Sequence, residues 1–314
     1  MASIVPITGG LGNQLFQYTF AKHLEICKGI TARIDCRIGN PRKVEGSVAL
    51  QELINENDRL YACQERLRLD RVSSRIYGWN LVSRLAGFER SRLEQFVISI
   101  LSKIVFFFRY KQRYILVPST NLGFDKTVSP ENNCIYFGYF QTFRYASETK
   151  VYEHLMSLSP KIKSGQYFCI KKSIENGSNA LVHLRFTDYL KESKFGIPSI
   201  SYYRNALNLM GSKLKVDSVW VVTDDVAMAK NYLKDLSVPF EVKFMEQDAI
   251  SDLEVWDLMR DFSGYIISNS TFAWWAAFLR RKIDAPVYAP DPWFKGMEDP
   301  KDLIPESWIK VTSL

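Results

Sequence analysis

The 314-residue chain is poor in the residues that build metal centres and covalent cross-links. Its five cysteines, Cys27, Cys36, Cys63, Cys134 and Cys169, are odd in number, scattered and nowhere in CxxC spacing. That pattern fits reduced thiols and excludes a disulfide framework or a zinc ribbon. The three histidines, His23, His154 and His183, lie far apart in sequence, so no metal is expected. No low-complexity tract and no fixed-period repeat is present, which excludes solenoids and long flexible linkers. The N-terminus lacks the basic-then-apolar pattern of a secretory signal. The longest apolar run, FVISILSKIVFFF at 96–108, has 13 residues and contains Lys103, too short to span a bilayer. A cytoplasmic protein is expected.

With 46% hydrophobic and 14% aromatic residues, a chain of this length can fill two cores. Its net charge of +7 is uneven: Arg59 to Arg113 holds 12 basic and 4 acidic residues, or +8, leaving the rest near −1. The aromatic-rich segment at 96–113, ending in Arg109, Lys111 and Arg113, predicts peripheral contact with anionic lipid at the inner face of the cytoplasmic membrane. The plain alternative is a core helix with solvated arginines. Nothing in the segment resembles a base-reading motif, so no nucleic-acid partner is expected.

Hydrophobic periodicity predicts the elements. SIVPIT (3–8) reads as a strand, Asn13–Lys28 as a helix ended by Gly29, and 30–35 as a second strand. Residues from about 50 to 115 read as mostly helical, and 115–141 as short strands and turns. In the second half, strands at 180–186, 218–223, 239–245, 264–268 and 285–289 alternate with helices at 201–214, 226–236, 251–262 and 271–281. Such alternation predicts parallel sheets with right-handed crossovers. Ligands of such sheets bind beyond the carboxyl ends of the strands. That directs attention to Gly9–Asn13, His183–Asp188, Thr223–Asp225 and Ser268–Thr271.

Each of these groups has a functional and a plain reading. GGLGNQ (9–14) forms a Gly-rich turn at a helix start, suited to phosphate. It is not a dinucleotide fingerprint, because Leu15 stands where the third glycine belongs, and no Gly-Lys-Ser/Thr makes it a P-loop. Asn13 and Gln14 can reach outward to a ligand; a tight turn without ligand is the alternative. In VHLRFTDY (182–189), strand alternation puts His183 and Arg185 on one side. Arg185 offers a fork for phosphate, and Asp188 can orient it or meet a sugar hydroxyl; a structural Arg–Asp pair is the alternative. In VVTDD (221–225), Asp224 and Asp225 can read a guanine edge, help hold a metal or cap a helix. In SNSTFAWW (268–275), Asn269 or Ser270 can cap the helix. Equally, Ser270 and Thr271 with the first N–H groups make a second phosphate site.

Taken together, GGLGNQLFQYTFAKHL, GYFQTFRY (138–145), VHLRFTDY, SISYYRNAL (199–207), VVTDD, SNSTFAWWAAFL and APDPWF (289–294) resemble the bacterial α-1,2-fucosyltransferases of glycosyltransferase family 11, in order and over nearly the whole chain. The resemblance implies a GT-B-like α/β fold of two Rossmann-like domains with the active site in the cleft between them. The domain bounds expected are 1–160, acceptor-side with a helical insertion, and 161–314, binding the GDP-sugar. It further implies GDP-fucose as donor, inversion at the anomeric carbon and no metal or other cofactor. The family pattern H-x-R-R-x-D departs here in having Phe186 at the second Arg; by alternation, residue 186 faces away from Arg185.

On this reading L-fucose passes from GDP-β-L-fucose to a hydroxyl, O2 of a β-galactoside, of a glycan acceptor. The acceptor is lipid-linked if the setting is O-antigen synthesis. Arg185, Asp188 and Asn13 are the catalytic candidates. Gly10, Gly12, Asn13, His183, Arg185, Asp224, Asn269, Ser270, Thr271 and Phe272 are expected at the donor, with Asp224 at the guanine edge and Asp225 as a cap. The alternatives are transfer of another GDP-6-deoxyhexose such as colitose, an inactive nucleotide-sugar-binding protein and, more distantly, a Rossmann oxidoreductase.

Overall fold

The computed structural model describes residues 2–39, 49–61, 115–119, 122–126, 128–187, 195–234, 236, 240–245 and 250–314. They divide into two compact units, one of 1–158 with 300–303 and the other of 159–299 with 304–314. The basic, aromatic-rich segment and the 96–108 run lie outside the described residues. Among those described, no helix is long and apolar enough to cross a membrane.

The first unit is built on strand β1 (Ser3–Thr8), buried along its whole length, as expected for an apolar run inside a parallel sheet. Helix α1 (Leu11–Lys28) follows, ended by Gly29 in a left-handed conformation. The chain returns through β2 (Ala32–Gly39), two 3-10 turns at Ala49–Glu52 and Glu56–Asp58, and β3 (Arg59–Tyr61). The 49–61 stretch is thus turns and a strand, whereas helix was expected from about residue 50; most of that expectation lies outside the described residues. β4 (Ile115–Pro118) and β5 (Cys134–Phe137) complete a five-stranded sheet of order β3-β2-β1-β5-β4, with the pairs parallel. Two short helices, α2 (Phe143–Ala146) and α3 (Thr149–Met156), follow.

A polar network anchors α1 to its surroundings. Lys22 bonds Asp58 and, at 2.7 Å, Glu25, while Glu25 holds Arg33 on β2 at 2.7 Å. The Tyr18 hydroxyl bonds Asp58 at 3.0 Å and His154 of α3 at 2.7 Å. Late in the chain, Pro300–Leu303 packs onto this unit as a strap. Phe124 N donates to Lys301 O at 3.1 Å and Phe143 N to Asp302 O at 2.9 Å. The Thr142 hydroxyl also bonds Asp302 O, at 2.9 Å, and Arg144 pairs with the Asp302 carboxylate at 2.7 Å. Gly123 makes the close approach possible, since an added Cβ would collide with the Lys301 backbone.

The second unit starts with α4 (Gly165–Glu175) and alternates β6 (Asn179–Leu184), α5 (Ile200–Lys213), β7 (Ser218–Thr223), α6 (Val226–Leu233), β8 (Glu241–Phe244), α7 (Asp252–Leu258), β9 (Gly264–Ile266), α8 (Thr271–Phe278), β10 (Val287–Asp291) and β11 (Ile309–Thr312). The sheet order is β11-β10-β9-β6-β7-β8, and every described pair is parallel. The expected α/β class, with two Rossmann-like units, is therefore the one observed. α3, α4 and β11 were not anticipated. Helix α8 stops at Phe278 and not at residue 281 because the chain turns back there: Arg281 N donates to Arg260 O at 2.8 Å. The Arg281 side chain then joins Arg260, buried in the core, around Asp257.

Candidate active site

Both sheets reverse their winding at one point. In the second unit the order grows from β6 through β7 to β8 on one side, and through β9 to β11 on the other. The crevice at the carboxyl ends of β6 and β9 is thus a topological switch point, where ligands of such folds bind. His183, Arg185, Ser268, Asn269, Ser270 and Thr271 all lie there, on segments that the pairing of β6 with β9 makes neighbours. Asp224 follows β7, the other neighbour of β6.

His183 is buried, and its Nδ1 bonds the Ser268 hydroxyl at 2.8 Å across the switch point. Burial, and then the Arg185 charge, lower its pKa to about 3. It is therefore a neutral hydrogen-bonding group. Its ring lies 6.4 Å from that of Phe272 at the start of α8. The Tyr203 hydroxyl bonds the His183 carbonyl at 3.2 Å. The Tyr202 hydroxyl bonds the Ile267 carbonyl at 2.6 Å and the Tyr288 carbonyl at 3.1 Å. The two tyrosines of α5 thus fix the ends of β6, β9 and β10. Sequence reading assigned them no role, because buried tyrosines on a helix read as packing.

Arg185 stands just past β6, with its side chain about one third exposed, and its Nε lies 3.3 Å from Asp224 Oδ2. Asp224 also accepts from Phe186 N at 2.9 Å, Thr187 N at 3.1 Å and the Thr187 hydroxyl at 2.6 Å. Burial pushes its pKa up, but these hydrogen bonds and the Arg185 charge outweigh burial and hold it below the ordinary carboxylate value. Both carboxylate oxygens accept from residues 185–187. Asp224 thus anchors the loop that carries Arg185. Asp225 caps α6 as expected, accepting from Met228 N at 2.9 Å. Asp188 lies outside the described residues. Phe186 faces away from Arg185 into the core, its ring 5.5 Å from that of Tyr232.

Asn269, expected at the donor, directs its amide N–H groups at the Phe195 and Gly196 carbonyls, each at 3.0 Å. Its amide donors are engaged within the chain. Ser270 is the N-cap of α8 but makes no side-chain cap hydrogen bond. By contrast Ser164, Ser199, Asp225 and Ser251 all cap their helices with side chains. Thr271 and Phe272, the first residues of α8, are half-buried.

In the first unit the winding reverses between β1 and β5. β1 is followed by Gly9, with φ +80, and by Gly10, the N-cap of α1 without a side-chain cap. Gly10 is exposed, and nothing lies within 4 Å of where its Cβ would be. Gly12 and Asn13 follow in the first turn of α1. The expectation that Gln14 reaches outward is overturned: it is buried, bonding the Gly9 carbonyl at 2.8 Å and Leu50 N at 3.1 Å. Gln17, which sequence reading passed over, clamps the two strand ends. Its amide bonds Thr8 N at 2.9 Å, the Thr8 hydroxyl at 3.0 Å and the Gly138 carbonyl at 3.0 Å. Asn13 Oδ1 accepts from Gln141 Nε2, beyond β5, at 2.9 Å. Among the described residues no group of three His, Cys, Asp or Glu side chains could hold a metal ion.

Comparison with known proteins gives relatives along the full length. The chain is 24% identical over 317 residues to an α-1,2-colitosyltransferase of Escherichia coli, covering 98% of each sequence. It is 25% identical over 325 residues to the O-antigen biosynthesis glycosyltransferase WbnK of Escherichia coli, covering 97% of this chain and 99% of that one. Among solved structures, the α-1,6-fucosyltransferase NodZ soaked with GDP-fucose is similar at a TM-score of 0.47 and 16% identity, over 88% of this chain and 91% of that one. The model of the family described as glycosyl transferase family 11 matches residues 88–294. That match takes in β6 to β10 with Arg185, Asp224 and the start of α8, so the chain belongs to glycosyl transferase family 11 and is a glycosyltransferase.

Proposed function

We propose that the enzyme transfers L-fucose from GDP-β-L-fucose, with inversion, to O2 of a β-galactoside in a glycan acceptor of surface-polysaccharide synthesis. The acceptor oxygen attacks C1 of fucose, the bond from C1 to the β-phosphate oxygen breaks, GDP leaves, and the hydroxyl proton passes to solvent or a base. The observation that carries the reading is Arg185 at the β6/β9 switch point beside the uncapped start of α8. A fork-shaped cation and a positive helix end there suit a departing diphosphate. Arg185 takes the leaving-group charge, with Ser270, Thr271 and neutral His183 supplying hydrogen bonds; Asp224 holds Arg185 and its loop. The second unit is the GDP-sugar domain. The Gly10–Asn13 turn of the first unit serves the diphosphate–sugar end of the donor, and the first unit supplies the acceptor side. No metal is required, because Arg185 and the helix ends supply the positive charge.

A second reading, transfer of colitose from GDP-colitose, is favoured by the colitosyltransferase relative, which aligns over 98% of this chain. The test is GDP release in the presence of a β-galactoside, with each donor in turn. Turnover of GDP-fucose with a 1,2-linked product supports the first reading. Turnover of GDP-colitose alone replaces it with the second, and no GDP release from either donor leaves a binding protein.

A further inference from the structure

We propose that Gln141 is a positioning residue. It fixes the Asn13 side-chain amide so that the nitrogen, and not the oxygen, is offered to the ligand. The inference rests on the reading of Asn13 as a ligand contact.

The geometry has three parts. Asn13 is half-buried in the first turn of α1; its Oδ1 is occupied by Gln141 Nε2 at 2.9 Å, and its Nδ2 has no partner among the described residues. Nδ2 lies over the Gly9 turn, where a Gly9 Cβ would come within 2.9 Å of it. Gln141 itself has little freedom. It is 6% exposed, and its backbone N donates to Leu122 O at 2.7 Å. It follows Phe140, a non-glycine residue at φ +53 whose ring stacks on Phe20 of α1 at 4.0 Å. Backbone strain of this kind persists where the surroundings over-determine it. Finally, Gln141 Oε1 is buried without a partner among the described residues. A side chain kept only for packing would avoid an unsatisfied buried acceptor.

An asparagine amide can present either end, and the hydrogen-bond network decides which. Gln141, by donating, turns Oδ1 inward and leaves Nδ2 as a donor beside the positive end of α1. Everything offered at this corner then suits an oxygen with lone pairs, either a phosphate oxygen of the sugar nucleotide or a sugar hydroxyl.

Four variants test this: Gln141→Met, Gln141→Glu, Asn13→Ala, and Asn13→Ala combined with Gln141→Met. Each is assayed for kcat, for KM of both substrates, for GDP affinity by calorimetry and for Tm. Met keeps the length but removes both the donor and the unsatisfied acceptor. Gln141→Met is expected to melt at or above the wild type and yet to lose roughly 10- to 100-fold in kcat/KM, the scale of one hydrogen bond to a charged group. Glu cannot donate when ionised; it captures Nδ2, turns Oδ1 outward and is expected to lose more. In the Asn13→Ala background, Gln141→Met is expected to cost nothing further. Weakened GDP binding assigns the oxygen to the diphosphate, and intact GDP binding with a raised acceptor KM assigns it to the acceptor. Wild-type kinetics in Gln141→Glu, or an equal loss from Gln141→Met in both backgrounds, overturns the proposal. If Asn13→Ala is itself without effect, the reading of Asn13 as a ligand contact falls as well, so the two failures are distinct.

Discussion

Replacing Asp224 with Asn separates loop anchoring from base recognition. In the wild type, Oδ1 takes Phe186 N, and Oδ2 takes Thr187 N, the Thr187 hydroxyl and Arg185 Nε. Asn keeps an oxygen for Phe186 N but presents an NH2 group to the Thr187 N–H, and Arg185 loses its counter-charge. A hydrogen bond to a charged group contributes about 1.5–3 kcal/mol. Thr187 is exposed, so water takes over part of the loss, and the net destabilisation works out at about 2 kcal/mol. For a unit of this size that is a fall in Tm of about 4–8 °C. Removing an oxyanion donor outright costs on the order of 10²–10³ in kcat. Arg185 remains in the variant but is no longer held, so a loss of about 10–10² is expected, with little change in the preference for GDP over IDP. The assays are urea melts, single-turnover GDP release, and product inhibition by GDP and by IDP, which lacks the guanine 2-amino group. An Asp224→Asn protein of unchanged stability that no longer distinguished GDP from IDP would refute the anchoring argument and support the guanine role.

Three further outcomes are expected. Arg185→Lys keeps the charge but loses the planar fork, and should cost about 10²–10³ in kcat at unchanged Tm; near wild-type turnover would remove Arg185 from the leaving-group site. Activity should survive EDTA, and loss with EDTA reversed by Mg²⁺ or Mn²⁺ would count against a site run on Arg185 and helix ends alone. For His183, the folded pKa is depressed to about 3 from about 6.5 in the unfolded chain. Its contribution to stability is complete above pH 6.5 and falls as pH drops from 6.5 towards 3, by up to about 1.4 kcal/mol per unit. His183→Asn should therefore flatten the fall in urea midpoint between pH 7 and pH 5. An unchanged slope would mean that His183 is not held neutral.

The second unit was largely legible in the sequence because its central strands β6, β7 and β9 are buried, mainly apolar runs. SVWVVT at 218–223 appears at the expected bounds, and every residue of it is buried. β11 escaped notice because IKVT puts exposed residues at alternate positions along an edge strand. Strand-end reasoning picked out the loops that lie at the two switch points but not the hydrogen bonds that their polar groups make. Asp224 bonds residues 37 and 38 positions away, and Gln17 reaches Gly138 across 121. Such partners carry no local pattern. Asn13 and Gln14 looked like ligand chemistry, but Gln14, with Gln17, holds the turn in shape. Phe186 was correctly placed by strand alternation alone.

The strap at Pro300–Leu303 bears on the order in which the protein can be made. The first unit holds residues 1–158, but the Phe124 and Phe143 N–H groups, the Thr142 hydroxyl and the Arg144 side chain bond residues 301 and 302. A ribosome adding about 5–20 residues per second needs roughly 7–30 s to travel from residue 158 to residue 300. Throughout that interval the nascent first unit has the backbone donors of Phe124 and Phe143 without acceptors and the groove beside Gly123 unfilled. The N-terminal half is thus emerged but unfinished until nearly the whole of the second unit has been translated. Chaperone occupancy on nascent chains should accordingly persist past residue 158 and fall only after residue 303 leaves the exit tunnel.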